Sequence, residues 1–173
     1  MTSPAPPPRL ETLRLLLREW RETDFEPHAA MCADPEVMRH LGGTIDPAES
    51  WRRMAQHAGH WALRGYGKWA VERRDTGEWI GRVGLWNPPD WPGVEVGWTL
   101  ARGAWGQGYA TEAATAAIRW AWANLDCERL VSLIEPGNAA SFRVAERLGM
   151  QLLPAELTAG SDLVVYSLER PTS

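Results

Sequence analysis

The stretch that decides the reading is Val94-Glu95-Val96-Gly97-Trp98-Thr99-Leu100, followed after a short loop by Trp105-Gly106-Gln107-Gly108-Tyr109-Ala110-Thr111-Glu112-Ala113. Residues 94–100 alternate and are rich in β-branched and aromatic side chains, which predicts a strand. From Tyr109 onward, Ala110, Ala113, Ala114, Ala117, Ile118 and Ala121 recur at helical spacing and form one small apolar face, which predicts a helix over 109–125. A strand that enters a helix through a Gly-rich turn presents consecutive backbone N–H groups at the helix start. Those unpaired donors and the helix dipole favour an anion, a pyrophosphate in particular. Gly106 and Gly108 lack a Cβ, so an anion can come close to the backbone. Two glycines alone describe an ordinary strand-to-helix turn equally well. A nucleoside-triphosphate loop is disfavoured, because no Gly-Lys-Ser/Thr follows. The dinucleotide fingerprint wants a third glycine at position 111, where Thr111 stands.

Working outward, residues 13–18 read as a first strand, and 23–31 and 34–40 as short helices. Asp34-Pro35 and Asp46-Pro47 each put a capping residue before a proline suited to a first helical turn, and Glu49 after Asp46 resembles a capping box. Trp51, Met54, Ala55, Ala58 and Trp61 carry that helix on to about residue 63. Residues 68–73 and 79–85 flank Asp75-Thr76-Gly77 and predict a hairpin. Residues 130–134 form a continuous apolar run, as for a strand buried on both faces. A helix follows over 138–148, closed by Gly149, then a last strand over 163–168 with a weaker partner around 151–153. The order β-α-α-α-β-β-β-α-β-α-β-β is that of a mixed α/β sheet.

The 173 residues fit one domain, over 10–170, behind a Pro-rich tail over 1–9 expected to be disordered. The net charge of −4 argues against nucleic acid and anionic membranes as partners, since both call for a basic surface. No run spans a bilayer and the start holds no apolar signal core, so a cytoplasmic protein is expected. Cys32 and Cys127 read as reduced, isolated thiols, and His28, His40, His57 and His60 complete no metal-ligand set. Eleven Trp fill a core or wall a pocket. The sequence leaves a homodimer open.

Residues 105–113 read Trp-Gly-x-Gly-x-Ala-Thr-Glu-Ala, and residues 135–150 hold an Asn138-x-x-Ser141 helix ending in Leu148-Gly149-Met150. With Leu10-Glu11-Thr12-Leu13-Arg14-Leu15, these blocks resemble the GNAT superfamily, and within it the ribosomal-protein N-terminal (Rim-type) acetyltransferases. The resemblance implies an α/β GNAT fold with a mixed, mostly antiparallel sheet and splayed central strands. It implies acetyl-CoA as co-substrate, a primary amine as acceptor and no metal. Coenzyme contacts would come from Trp98, Thr99, Leu100, Trp105, Gly106, Gln107, Gly108, Tyr109, Ala110, Thr111, Asn138 and Ser141. Many members carry a Tyr seven residues after the Asn as acid for the departing thiolate; here that residue is Ala145.

An amine is mostly an ammonium at neutral pH, so attack on a thioester needs a proton acceptor. Glu95, on the strand expected to border the thioester and opposite Val94, Val96 and Trp98, is the candidate base; a solvated strand glutamate is the alternative. Main-chain N–H groups near Trp98 would polarise the thioester carbonyl. Ser141 or Tyr166 would protonate the sulfur, although a thiol pKa near 8.5 makes an acid dispensable. Glu112, in the first helical turn, reads as a dipole or capping residue. The acceptor is expected to be a protein or peptide N-terminal amine, or else a small amine such as an aminoglycoside or polyamine. A non-catalytic coenzyme A-binding module is a further alternative. A Trp-rich carbohydrate-binding module fits poorly with the Ala-rich helix.

Overall fold

The computed structural model describes residues 6–154 and 162–172. Its strands are β1 (Leu10–Glu11), β2 (Leu15–Arg18), β3 (Lys68–Arg73), β4 (Trp79–Trp86), β5 (Glu95–Leu100), β6 (Arg129–Ile134), β7 (Gln151–Leu152) and β8 (Val164–Glu169). Its helices are α1 (Phe25–Ala33), α2 (Pro35–Met38), α3 (Pro47–Arg64), α4 (Tyr109–Asn124) and α5 (Ala139–Arg147). The expected order holds, with two-residue β1 added and α2 stopping at Met38. Of the expected tail, residues 1–5 lie outside the described residues, while the Pro8 carbonyl accepts the Trp69 indole N–H at 2.8 Å.

Local chemistry sets the helix ends. Asp46 accepts the Glu49 amide at 2.7 Å and Pro47 opens the first turn of α3, which stops at Gly65 (φ +74). Asp34 caps α2 through the Glu36 amide at 2.9 Å. Asn138 caps α5 through the Ser141 amide at 3.1 Å. The α4 helix has no capping side chain, because its N-cap is Gly108.

The eight strands form one sheet in the order β1-β2-β3-β4-β5-β6-β8-β7. Every pairing is antiparallel except β5 with β6, which is parallel. One face of the central strands carries Trp69, Val71, Val83, Leu85, Val96 and Leu100 into the main core, against the Ala113, Ala114, Ala117, Ile118 and Ala121 face of α4. Small side chains let the helix lie close to the sheet and so hold its N-terminus at the end of β5. The other face, which presents Ala70, packs with Trp79 against α1 and α2 through Met31, Cys32, Val37 and Met38. The β6 run is buried at Leu130, Val131, Ser132 and Ile134. Most Trp fill space: Trp61, Trp69 and Trp120 meet edge to face at centroid distances of 4.7–5.7 Å.

The parallel pairing is short. Glu95 stands opposite Val131, and the Val131 amide donates to the Val94 carbonyl at 2.9 Å. One step further, the Ser132 hydroxyl donates to the Val96 carbonyl at 3.0 Å, a side chain serving where a main-chain rung would stand. Beyond that point the two strands splay.

Candidate active site

The splay exposes main-chain groups whose direction follows from the ladder. The Ala101 amide donates to the Ile80 carbonyl at 2.9 Å, which fixes the hydrogen-bonding parity of β5 on β4. Glu95, Gly97 and Thr99 therefore turn their N–H and C=O groups toward β4, and Val96, Trp98 and Leu100 turn theirs toward the β6 side. The Leu100 carbonyl is taken by the Trp105 indole N–H at 2.8 Å. The Trp98 N–H and C=O and the Leu100 N–H face the opening between the strands.

Gly106 (φ +73) and Gly108 (φ +80) both hold left-handed conformations, the geometry that turns the chain from the β5 exit into α4. Gly108 brings no capping side chain, so the first amides of α4 keep their donors for another acceptor. Thr111 adds a buried hydroxyl without a hydrogen-bond partner. The turn is pinned from behind. Arg14 donates to the Gln107 carbonyl at 2.9 Å and to Glu112 at 2.7 Å, and stacks on the Tyr109 ring at 4.5 Å. Glu112 also accepts the Thr12 hydroxyl at 2.6 Å and the Arg14 amide at 2.9 Å. Burial opposes its charge, but these donors outweigh burial and hold its carboxyl below the usual range. Glu112 thus ties α4 to the β1–β2 segment.

A cavity of about 550 Å³ joins this turn to the splay. It is lined by Trp98, Thr99 and Leu100, by Trp105, Gly106 and Gly108 through Thr111, and by Asn138 and Ser141. Gln107 is absent from the lining; its side chain donates to the Gly103 carbonyl at 3.0 Å. Arg143 and Arg147, one turn apart on α5, add positive charge, and α2 with the residues after it closes the far wall. Sequence reasoning missed both of these contributions. The two arginines carry a signal, a basic pair at i, i+4 beside the Asn-x-x-Ser motif.

A second cavity of about 90 Å³ opens from the same splay and shares Trp98, Thr99, Asn138 and Ser141 with the first. Glu95 lines it and is only 8% exposed. Its carboxylate accepts the Trp91 indole N–H at 2.9 Å, an arrangement unlike a solvated strand glutamate. Gly97 makes room for it: a Cβ there would stand 2.9 Å from a Glu95 oxygen and 3.2 Å from Lys68 Nζ. Lys68 and Arg82 line the same cavity, and neither stood out from the sequence alone. A lone Arg inside the apolar stretch Trp79-Ile80-Gly81-Arg82-Val83-Gly84-Leu85 was the available signal. At the rim, Glu135 binds the His40 ring at 2.9 Å, which links the α5 entry to the segment after α2.

Ser141 borders both cavities, and Asn138 spends its side-chain oxygen on the α5 cap. Tyr166 lies on β8 against Phe142, in the core, and lines neither cavity. Among the described residues no group of three or more His, Cys, Asp or Glu is placed to hold a metal ion, and no helix is long and apolar enough to cross a membrane.

An uncapped helix start behind a glycine turn thus opens into a split between two parallel strands, a cavity with free main-chain donors at one end and a buried carboxylate beside the other. Residues 14–151 match the acetyltransferase (GNAT) domain family, and the chain belongs to it. It is therefore an N-acetyltransferase of a family that uses acetyl-CoA. It is 36% identical to the protein YkkB of Bacillus subtilis (strain 168) over 124 residues, 68% of this chain and 69% of that one. The solved acetyltransferase from Agrobacterium tumefaciens str. C58 is 35% identical, with a TM-score of 0.86 over 94% of this chain and 95% of that one. The ribosomal L7/L12 alpha-N-protein acetyltransferase RimL, solved with coenzyme A, shares the fold at 17% identity, with a TM-score of 0.75 over 94% and 98% of the two chains.

Proposed function

We propose that this chain moves the acetyl group of acetyl-CoA directly onto a primary amine, with Glu95 taking the amine's proton. The observation that carries the reading is the junction of the two cavities at Trp98, Thr99, Asn138 and Ser141. The larger one has the amide-lined turn and the Arg143–Arg147 pair for the coenzyme phosphates. The smaller one has a buried carboxylate for the amine. The thioester would lie at the junction, its carbonyl against the main-chain N–H groups of β5 that face the splay. Attack by the nitrogen forms the C–N bond and breaks the C–S bond, and the sulfur leaves with the electron pair. Ser141, which borders both cavities from α5, serves as a donor to the sulfur, while Tyr166, which lines neither, is given no part. Direct attack is favoured over an acyl-cysteine, since Cys32 and Cys127 line neither cavity.

The wording of the coenzyme loop is that of the Rim-type branch, which keeps a peptide N-terminal amine among the acceptors alongside small amines. Calorimetric titration with coenzyme A, followed by thiol release in the presence of tetrapeptides and small amines, tests the reading. Micromolar coenzyme binding with amine-dependent thiol release is expected. Tight binding without release for any amine would leave a coenzyme-binding module instead.

A further inference from the structure

Arg82 is a buried cation that, among the described residues, makes no ion pair with a carboxylate. It is 7% exposed on β4, between Ala70 of β3 and Thr99 of β5. One of its terminal nitrogens donates to His57 Nε2 at 3.0 Å, so that ring nitrogen is the acceptor and the imidazole is neutral. Burial first, then the charge of Arg82 itself, keeps His57 in that form. The Arg82 Nε is buried and has no hydrogen-bond partner. Among the described residues no carboxylate makes an ion pair with Arg82 or with Lys68. Lys68 Nζ instead sits 5.9 Å from the Trp86 ring centre. Burial pushes the Lys68 ammonium down to about 8, against the pull of Glu95. Glu95 is felt by both cations but has its own partner in Trp91. The other acidic group on this cavity, Glu135, is at its rim and bound to His40.

Buried charges are ordinarily paired, because the loss of hydration is costly unless an opposite charge offsets it. Here two cations line a single small cavity whose two carboxylates already have partners, Glu95 in Trp91 and Glu135 at the rim in His40, and the cavity opens on the acetyl-transfer junction. A polycationic acceptor would bring more positive charge to Arg82 and Lys68. An acceptor that carries an anion beside its nitrogen would complete the set.

We propose that the acceptor is a small primary amine bearing a carboxylate close to the nitrogen, an α-amino-acid-like zwitterion whose carboxylate seats on Arg82 and Lys68 while its nitrogen faces Glu95. This rests on the acetyltransferase reading above. The step balances. The ammonium gives one proton to Glu95, which passes it to solvent. The free nitrogen bonds to the acetyl carbon, the C–S electron pair goes to sulfur, and the nitrogen's second proton ends on the thiolate. The products are an N-acetylated carboxylate, coenzyme A thiol and one proton. The guanidinium fork fits a carboxylate with two parallel hydrogen bonds. The volume of about 90 Å³ suits a small group such as an amine with a neighbouring carboxylate.

The test is a thiol-release panel on the full chain: the common amino acids, their carboxamides, the matching decarboxylated amines, and spermidine. At least one amino acid should be acetylated with kcat/KM thirtyfold or more above its carboxamide, the scale set by leaving a buried charge unpaired. Arg82→Gln should raise KM for that amino acid by a similar factor and leave the carboxamide within about threefold. Coenzyme A affinity by calorimetry should not change. Because Arg82 is buried, Lys68→Met is the second variant, with a smaller shift in the same direction. Amines or carboxamides that equal the amino acids, or spermidine as the best acceptor, would overturn the proposal and leave the transferase reading standing. Coenzyme binding with no acceptor in any class would overturn both.

Discussion

Glu95 is where residue-scale chemistry is most exposed to test. It is buried, accepts the Trp91 indole, and has room only because position 97 is glycine. If it relays the amine's proton, Glu95→Gln should lower kcat by roughly a hundredfold or more, the usual scale for a lost general base, while coenzyme A affinity stays constant. The glutamine keeps the shape and can still accept from Trp91, so a fall in kcat reports proton transfer. A rise in KM for the amine with kcat intact would show that the carboxylate only attracts the ammonium. Steady-state constants with one accepted amine across pH separate the two.

At the scale of elements, the junction of β5 with α4 does two tasks at once. The uncapped helix start offers its amides, and Arg14, Thr12 and Glu112 hold that start against the β1–β2 segment. Gly108 sits at φ +80, where a side chain is strained, and a Cβ would also come within 3.5 Å of Arg14. Gly108→Val should weaken coenzyme A binding by on the order of tenfold or more, given the ~1–3 kcal/mol cost of a β-branched residue in that conformation. Calorimetry on a variant shown to be folded by circular dichroism measures this. Unchanged affinity would mean that the turn does not hold the phosphates.

Two features belong to the whole molecule. The first is the buried ion cluster in which Arg18 of β2 binds Asp24 through two 2.8 Å hydrogen bonds and Glu72 of β3 at 2.8 Å. Asp24→Ala removes two of the buried guanidinium's carboxylate hydrogen bonds and leaves it only Glu72 as a carboxylate partner. The expected loss is about 1.5–3 kcal/mol, or roughly 3–12 °C in Tm for a chain of this size, with no change in coenzyme affinity in the folded protein. Differential scanning calorimetry decides the point. The second is the set of imidazoles packed between α1, α3 and the sheet. Burial pushes His28 down to about 4, and burial likewise lowers His57 and His60. A histidine with a depressed folded pKa binds its proton more readily when unfolded. Its stabilisation is complete above about pH 6.5 and is lost as pH falls from there toward about 4. His28 contributes a slope of about 1.4 kcal/mol per pH unit inside that window, and His57 and His60 add to it in the same direction. Urea midpoints should fall steeply below pH 6.5, and His28→Phe should flatten the descent by one such slope. An unchanged slope in that variant would show that His28 does not stay neutral.

Local physics made the elements and the glycine turn into α4 readable from the chain alone. Asp46-Pro47, Asn138-x-x-Ser141 and Gly106-x-Gly108 act through backbone angles and hydrogen bonds within a few residues, so the sequence alone determined the caps, the α4 start and the order of strands and helices. The alternation of β5 likewise put Glu95 on the face opposite Val96 and Trp98. Tertiary structure alone decided what surrounds that carboxylate. Trp91 reaches it from a loop by a hydrogen bond, and the register of β3 on β4 and of β4 on β5 determines that Gly97, Lys68 and Arg82 share a cavity with it. It also placed Tyr166, on a strand that pairs outside β6, with its ring against Phe142 in the core. A side chain's charge environment depends on partners tens of residues away in sequence, and only the pairing of strands brings those partners within a few ångströms.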